Sequence, residues 1–197
     1  DVELGGQGAP LVPVGEEYLF PEYNTLINLG GFANISKRIK NNLIAYDICP
    51  INIVFNHLSR SMELEYDDKG HIASTGKLNK ELYNSLQRLN YYKKHPPKSL
   101  GIEWVNEKIH PILKNFQDVP IKDLMNTFSN HFAFQIAKNI GDQDKVLITG
   151  GGAYNDYLID RIKNLTNSEI TIPDPNIIEY KEALIFSFLG LLRVLKI

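Results

Sequence analysis

Two consecutive glycines, Gly30 and Gly31, sit between an apolar run at Tyr23–Leu29 and a second one at Phe32–Ile39. Both runs have strand character, and a third follows at Asn42–Cys49 after the link Lys40-Asn41. Links this short force neighbouring strands to run antiparallel, so the three form a meander. The glycine pair is expected to take the positive φ of a tight hairpin turn and to leave the backbone bare at its tip. Asn28 and Asn34 flank that tip with carboxamides, which together with main-chain amides can meet an anionic oxygen. Gly-Gly is also an ordinary hairpin signal, so the pair is a turn, a ligand-facing edge, or both.

The third strand delivers Asp47 near its end, and Pro50 is expected to start a helix over Ile51–Ser61. A carboxylate at such a junction is fixed by the strand and lies beside a helix N-terminus that can receive an anion. It is equally a candidate helix cap. Farther on, Lys145–Thr149 reads as a strand, Gly150-Gly151-Gly152-Ala153-Tyr154-Asn155 as a glycine turn, and Asp156–Leu165 as a helix. A nucleotide can lie against the backbone in that arrangement. The turn has neither the Gly-x-Gly-x-x-Gly spacing of dinucleotide folds nor the Lys-Ser/Thr ending of a phosphate loop.

Between these strands the leucine spacing predicts a helix over Lys77–Asn90, and apolar periodicity predicts others over Leu100–Leu113 and Pro120–Ile140. Leu64–Gly76 reads as a surface loop, Tyr91–Ser99 as a break, Glu169–Ile172 as a short strand and Pro173–Pro175 as a turn. The last helix is placed at Glu179–Leu195, with Glu182 in its first turn. A glutamate there is either dipole compensation or a functional group. The tract Ala183–Leu192 reads as a buried helix. Asp1–Pro13, rich in glycine and proline, is an extended loop whose glycines would bring amides and the Gln7 carboxamide against a polar ligand, or else a flexible leader. Tyr18-Leu19-Phe20 forms an apolar anchor. The five histidines are too scattered to propose a metal cage and read as surface or capping residues.

A hydrophobic content of 43% with 22% charged residues excludes disorder, and a net charge of -2 with dispersed lysines argues against a nucleic-acid surface. No apolar run approaches the ~20 residues of a membrane span. Cys49 stands alone, so no intramolecular disulfide can form and a reducing, cytoplasmic compartment is expected. Because the sequence opens at Asp1 without an initiator methionine, it is expected to be a piece of a longer protein.

Five motifs taken in order resemble one family. They are Asp1 to Pro13 (Asp-x-x-x-Gly-Gly-Gln-Gly-Ala-Pro-Leu-Val-Pro), Asn28 to Ile35 (Asn-x-Gly-Gly-x-Ala-Asn-Ile), Lys98 to Glu103 (Lys-Ser-x-Gly-x-Glu), Gly150 to Asn155, and Glu182-Ala183. Together they are similar to anhydro-N-acetylmuramic acid kinase. The resemblance implies an α/β, ribonuclease H-like fold of the actin, hexokinase and heat-shock ATPase type. Residues 1–197 would be the C-terminal lobe of a two-lobed sugar kinase, a three-stranded meander plus further strands packed by helices. It implies ATP and Mg2+ as cofactors and a small sugar as substrate, and is compatible with a homodimer. By the same resemblance Asp47 is the catalytic base and Glu182 helps to hold sugar and water. Asp1, Gly5, Gly6, Gln7 and Asn52 would bind the sugar. Asn28, Gly30, Gly31 and Asn34 would face the phosphates, and Gly150, Gly151, Gly152 and Asn155 the adenosine.

The sequence departs from the family at one motif. Where the family follows its aspartate with Thr-Gly-Pro-Gly-Asn, this chain has Ile48-Cys49-Pro50-Ile51-Asn52. The family's Gly-Thr-Ser-x-Asp-Gly phosphate loop is absent from the 197 residues. Two other functions therefore stay open: a sugar- or nucleotide-sensing domain of the same fold without turnover, and a structural domain in which the glycines only make turns.

Overall fold

A computed structural model describes residues 12–39 and 42–196. Helix α1 (Val12–Leu19) leads into β1 (Thr25–Leu29), β2 (Phe32–Ile39) and β3 (Asn42–Pro50), and α2 (Asn52–Arg60) follows. After it come α3 (His71–Thr75), α4 (Lys80–Gln87), α5 (Ile102–Trp104), a π-helical turn (Val105–Ile109), α6 (His110–Lys114) and α7 (Ile121–Asn139). The chain then closes with β4 (Lys145–Thr149), α8 (Asp156–Lys163), β5 (Glu169–Thr171) and α9 (Pro175–Leu195). The strands form one sheet in the order β3-β2-β1-β4-β5. β1, β2 and β3 are the antiparallel meander, while β4 pairs parallel to β1, and β5 parallel to β4.

Alternation divides the sheet into two faces. Ile27, Ile35 and Ile148 turn to the main core, which they share with Phe128, Phe132 and Ile136 of α7 and Leu158 and Ile162 of α8. Leu26 and Leu147, paired across β1 and β4, are buried on the other face, as is Ile185 of α9. There α1 and α9 touch closely, because a Cβ at Gly15 would strike the Ile185 side chain. Where β1 and β4 begin, Asp144 ties three strands together. It accepts from Thr25 Oγ1 (2.7 Å), the Gly141 amide (2.7 Å) and Asn24 Nδ2 (3.1 Å), and pairs with the Lys37 ammonium (3.0 Å). Burial pushes its carboxyl up, but the hydrogen bonds from Thr25 and Gly141 and the Lys37 charge outweigh burial and hold it below the usual range.

Several expectations need correction. Gly30 and Gly31 do not adopt positive φ; among the described glycines only Gly70 (73°) and Gly150 (81°) do. Leu29 pairs with Ala33, so the tip is a three-residue connection rather than a two-residue one. Pro50 ends β3 instead of starting α2. The Leu64–Gly76 loop contains α3, whose Ile72 and Ala73 amides are capped by the Asp67 carboxylate at 2.8 and 2.9 Å. Val12 and Pro13, read as the end of the loop, and Tyr18 and Leu19, read as an anchor, belong to α1. Asp174 caps α9 at the Asn176 amide and Pro175 is its first residue, so Glu182 lies well inside the helix and not in its first turn. Nor is Ala183–Leu192 buried throughout, since Leu184, Phe186 and Leu191 are 43%, 50% and 56% exposed.

His131 is a further correction. It is fully buried on α7, packed against the rings of Tyr92 and Tyr83 at 4.9 and 6.0 Å, and neither ring nitrogen has a hydrogen-bond partner among the described residues. Burial lowers its pKa to about 3. Folding therefore keeps the imidazole neutral, while the unfolded chain takes up a proton below pH ~6.5, so stability falls as pH drops from there toward the folded value. Denaturant melts at pH 6.5 and pH 4.5 are expected to differ by about 2–3 kcal/mol from this group, above the range where Asp144 titrates. His131→Phe should flatten that slope; an unchanged slope would remove His131 as its source.

Candidate active site

The register of the sheet lines up one row of polar side chains. Asn34 stands opposite Asn28 on one side and Asp47 on the other, so the three share a face at the end of the meander. A bulge helps to place Asp47. The pairing steps from Ala33–Cys49 to Asn34–Asp47, so Ile48 is the extra residue and the strand bends beside the carboxylate. Among the described residues both contacts of that carboxylate fall on Oδ2, from the Leu100 amide at 2.8 Å and Ser99 Oγ at 3.1 Å. Tyr91 Oη donates to the Asp47 main-chain carbonyl at 2.7 Å. Burial first, and the Asp47 charge second, push that phenol up, so it remains a protonated donor.

A cavity of about 70 Å³ opens over this row, lined by Asn28, Asn34, Asp47, Lys98, Lys181 and Glu182 among others. A second cavity, about 290 Å³, is lined by Asn28, Gly150, Gly151, Tyr154, Lys181 and Glu182. Beyond it a groove of about 810 Å³ carries Gly151, Gly152, Tyr154, Asn155 and Asn52. Shared residues make the three one continuous trough, from Asp47 at one end to Asn155 at the other. Gly150 is the pivot. Its φ of 81° suits glycine, and a Cβ there would meet Asn28 Oδ1 and come within 3.0 Å of the Leu29 backbone.

The hairpin tip meets α2. The Gly31 carbonyl accepts from the Ile51 amide (2.8 Å) and the Ile53 amide (3.4 Å), and the Gly30 carbonyl from the Asn52 amide (3.3 Å). The first amides of α2 are thus taken by the chain itself, and Asp47 is not their cap. In a trans peptide the N–H points opposite to the C=O, so the Gly31 amide faces away from α2. Asn52 donates to the Leu29 carbonyl (3.2 Å) and lies beside Gly151 in the large groove, apart from the Asp47 cavity. Asn155 caps α8 by accepting from the Leu158 amide at 2.9 Å. Asp1, Gly5, Gly6 and Gln7 lie outside the described residues.

The departures from the family motif point inward. Ile48, Cys49 and Ile51 are each at most 1% exposed and belong to the main core. Burial also pushes the Cys49 thiol up, leaving it a neutral packing group. Sequence reading assigned no role to Lys181, Glu16 and Ser36, all of which line the Asp47 cavity. Lysine and glutamate in helices read as surface residues, so only the tertiary structure reveals them as buried.

Fold and trough define a ribonuclease H-like lobe. The activator of the 2-hydroxyisocaproyl-CoA dehydratase from Clostridium difficile, solved with bound ADPNP, superposes with TM-score 0.56 at 20% identity, over 94% of this chain and 67% of that one. The Acidaminococcus fermentans (R)-2-hydroxyglutaryl-CoA dehydratase component A gives 0.53 at 15%, over 88% and 63%. The family model for anhydro-N-acetylmuramic acid kinase matches residues 1–197. The chain belongs to that family. It is 32% identical over 211 residues to the anhydro-N-acetylmuramic acid kinase of Bacillus cereus (strain Q1), and 32% over 180 residues to that of Bacillus thuringiensis (strain Al Hakam). The first alignment covers 96% of this chain and 55% of the relative, the second 83% and 47%, so the chain spans about half the length of these relatives.

The geometry at Gly150 sets a stability test. Gly150→Ala is expected to cost about 2 kcal/mol or more, or about 4–8 °C in Tm, because it adds strain at positive φ to a clash with Leu29. Gly31→Ala, with nothing within 4 Å of its Cβ, should change stability by less than about 0.5 kcal/mol. Equal melting temperatures for the two variants would contradict this account of the trough.

Proposed function

We propose that this chain is the C-terminal lobe of an ATP-dependent kinase that opens the 1,6-anhydro ring of anhydro-N-acetylmuramic acid with water and phosphorylates O6, giving N-acetylmuramate 6-phosphate in cell-wall recycling. The observation that carries the reading is the continuity of the trough. Asn28, Lys181 and Glu182 line both the Asp47 cavity and the Gly150 cavity, so a sugar in one would lie against a nucleotide in the other. The inward packing of Ile48, Cys49 and Ile51 supports turnover over a purely sensing role, because those side chains leave the ligand side clear.

In this reading Asp47 is the base. Oδ2 is fixed by Leu100 and Ser99, which leaves Oδ1 to take a proton from the attacking water. The water oxygen bonds to the anomeric carbon, the C1–O6 electron pair passes to O6, and O6 takes the terminal phosphoryl group as ADP leaves. Glu182 helps to hold the sugar and water. The Gly31 amide, turned away from α2, and the Asn28 and Asn34 carboxamides would meet phosphate oxygens. The large groove, with bare backbone at Gly151 beside Tyr154 and Asn155, has room for the adenosine. Magnesium carried on the nucleotide would neutralise phosphate charge, and the Glu182 carboxylate and the Asn28 carboxamide supply oxygens at that junction.

The family's Gly-Thr-Ser-x-Asp-Gly loop is not among these 197 residues, so the chain by itself is expected to release no ADP from ATP and anhydro-sugar. In a protein comprising both lobes, Asp47→Asn should lower kcat by about 10²–10⁴-fold with nucleotide affinity kept. A coupled ADP-release assay checks both. Unimpaired turnover by the Asp47→Asn enzyme would take the base away from Asp47.

A further inference from the structure

Three described residues, Asn28, Lys181 and Glu182, line both the Asp47 cavity and the Gly150 cavity, and Lys181 is the one that carries a positive charge. Its ammonium is held from below. Lys181 Nζ donates to Glu16 Oε1, and Ser36 Oγ donates to Glu16 Oε2. Lys181, Glu16 and Ser36 are 2%, 3% and 4% exposed, so α9, α1 and β2 meet in a buried charged cluster at the wall of the Asp47 cavity.

Stability does not account for such a cluster. Taking two charges out of water costs about what their attraction returns, and apolar side chains of similar size commonly hold the same elements as well. What the cluster does provide is a fixed, poorly hydrated positive charge where the two cavities join. Glu16 takes one of the three N–H donors of that lysine, leaving two.

We propose that Lys181, oriented by Glu16 and Ser36, is the cation that meets the terminal phosphate of a bound nucleoside triphosphate as it faces the sugar cavity. This rests on the reading above that the trough takes a nucleotide and a sugar. Lys181 is then a catalytic residue: it binds the group in transfer and stabilises the charge spread over its oxygens. Glu16 and Ser36 are positioning residues that act through it.

Isothermal titration of the 197-residue chain with Mg·AMP-PNP and Mg·ADP is the test. Wild type should bind both, and Lys181→Met should weaken AMP-PNP about ten-fold while changing ADP by less than about two-fold. Lys181→Arg should restore most of the difference. If Lys181→Met does not fold, as judged by its melting curve, Lys181→Gln carries the same comparison, since it keeps a hydrogen bond to Glu16 without the charge. Equal weakening of both nucleotides, or no change in either, would leave Lys181 a structural residue and overturn the proposal alone. Binding of neither nucleotide by wild type would overturn the reading that this trough takes a nucleotide, and the proposal with it.

Discussion

A strand paired antiparallel on one side and parallel on the other has its side-chain rows fixed from both edges, and β1 is such a strand. Asn28 stands opposite Asn34 in the meander and opposite Thr149 in the parallel pair. A slip of one residue on either side would turn Asn28 into the core. Because Gly150 follows Thr149 directly, the same register that aligns Asn28 with Asp47 also brings the glycine turn against Leu29. The trough follows from this double pairing. Asp144 secures it at the other end, clamping the starts of β1 and β4 with hydrogen bonds to Asn24, Thr25 and Gly141.

The hairpin tip contributes in a way different from a simple turn. Its two glycine carbonyls satisfy the amides that open α2, so helix and meander are joined without a side-chain cap. Ordinarily those amides are orphans that attract an anion. Here they are spent internally, and the donors left for a ligand are those pointing the other way. Cys49 and Ile51 thus fill core space beneath the joint, so bulk at these positions enters the protein interior rather than the trough.

Legibility in the sequence tracked how local each cause was. β1 to β4 could be read because apolar residues alternate or run together between glycines and polar links, and the glycine turn before α8 because strand, glycines and helix are contiguous. α1 escaped because Val12–Leu19 carries Pro13 and Gly15, which argue against a helix locally, while the side chain that Gly15 packs against, the buried Ile185 of α9, lies far along the chain. α3 escaped for a similar reason, since Asp67 caps it from a stretch that looks like solvent-exposed loop. Glu182 was singled out by resemblance but misplaced in its helix, because Pro173-Asp174-Pro175 reads equally as a turn or as a cap followed by a helix-opening proline. Burial of His131 had a signal in the spacing of Phe128, His131 and Phe132 along one face of α7, although histidine in such a position says little about the polarity of its surroundings.

The central claim is that one trough takes two ligands side by side, and amide chemical-shift mapping of the 15N-labelled chain tests it most directly. Titration with Mg·AMP-PNP should move Gly31, Gly150 and Gly151, titration with the anhydro-sugar should move Asn34, Asp47 and Leu100, and Asn28, Lys181 and Glu182 should respond to both. Nucleotide-induced shifts that leave Gly31, Gly150 and Asn28 unmoved would contradict it.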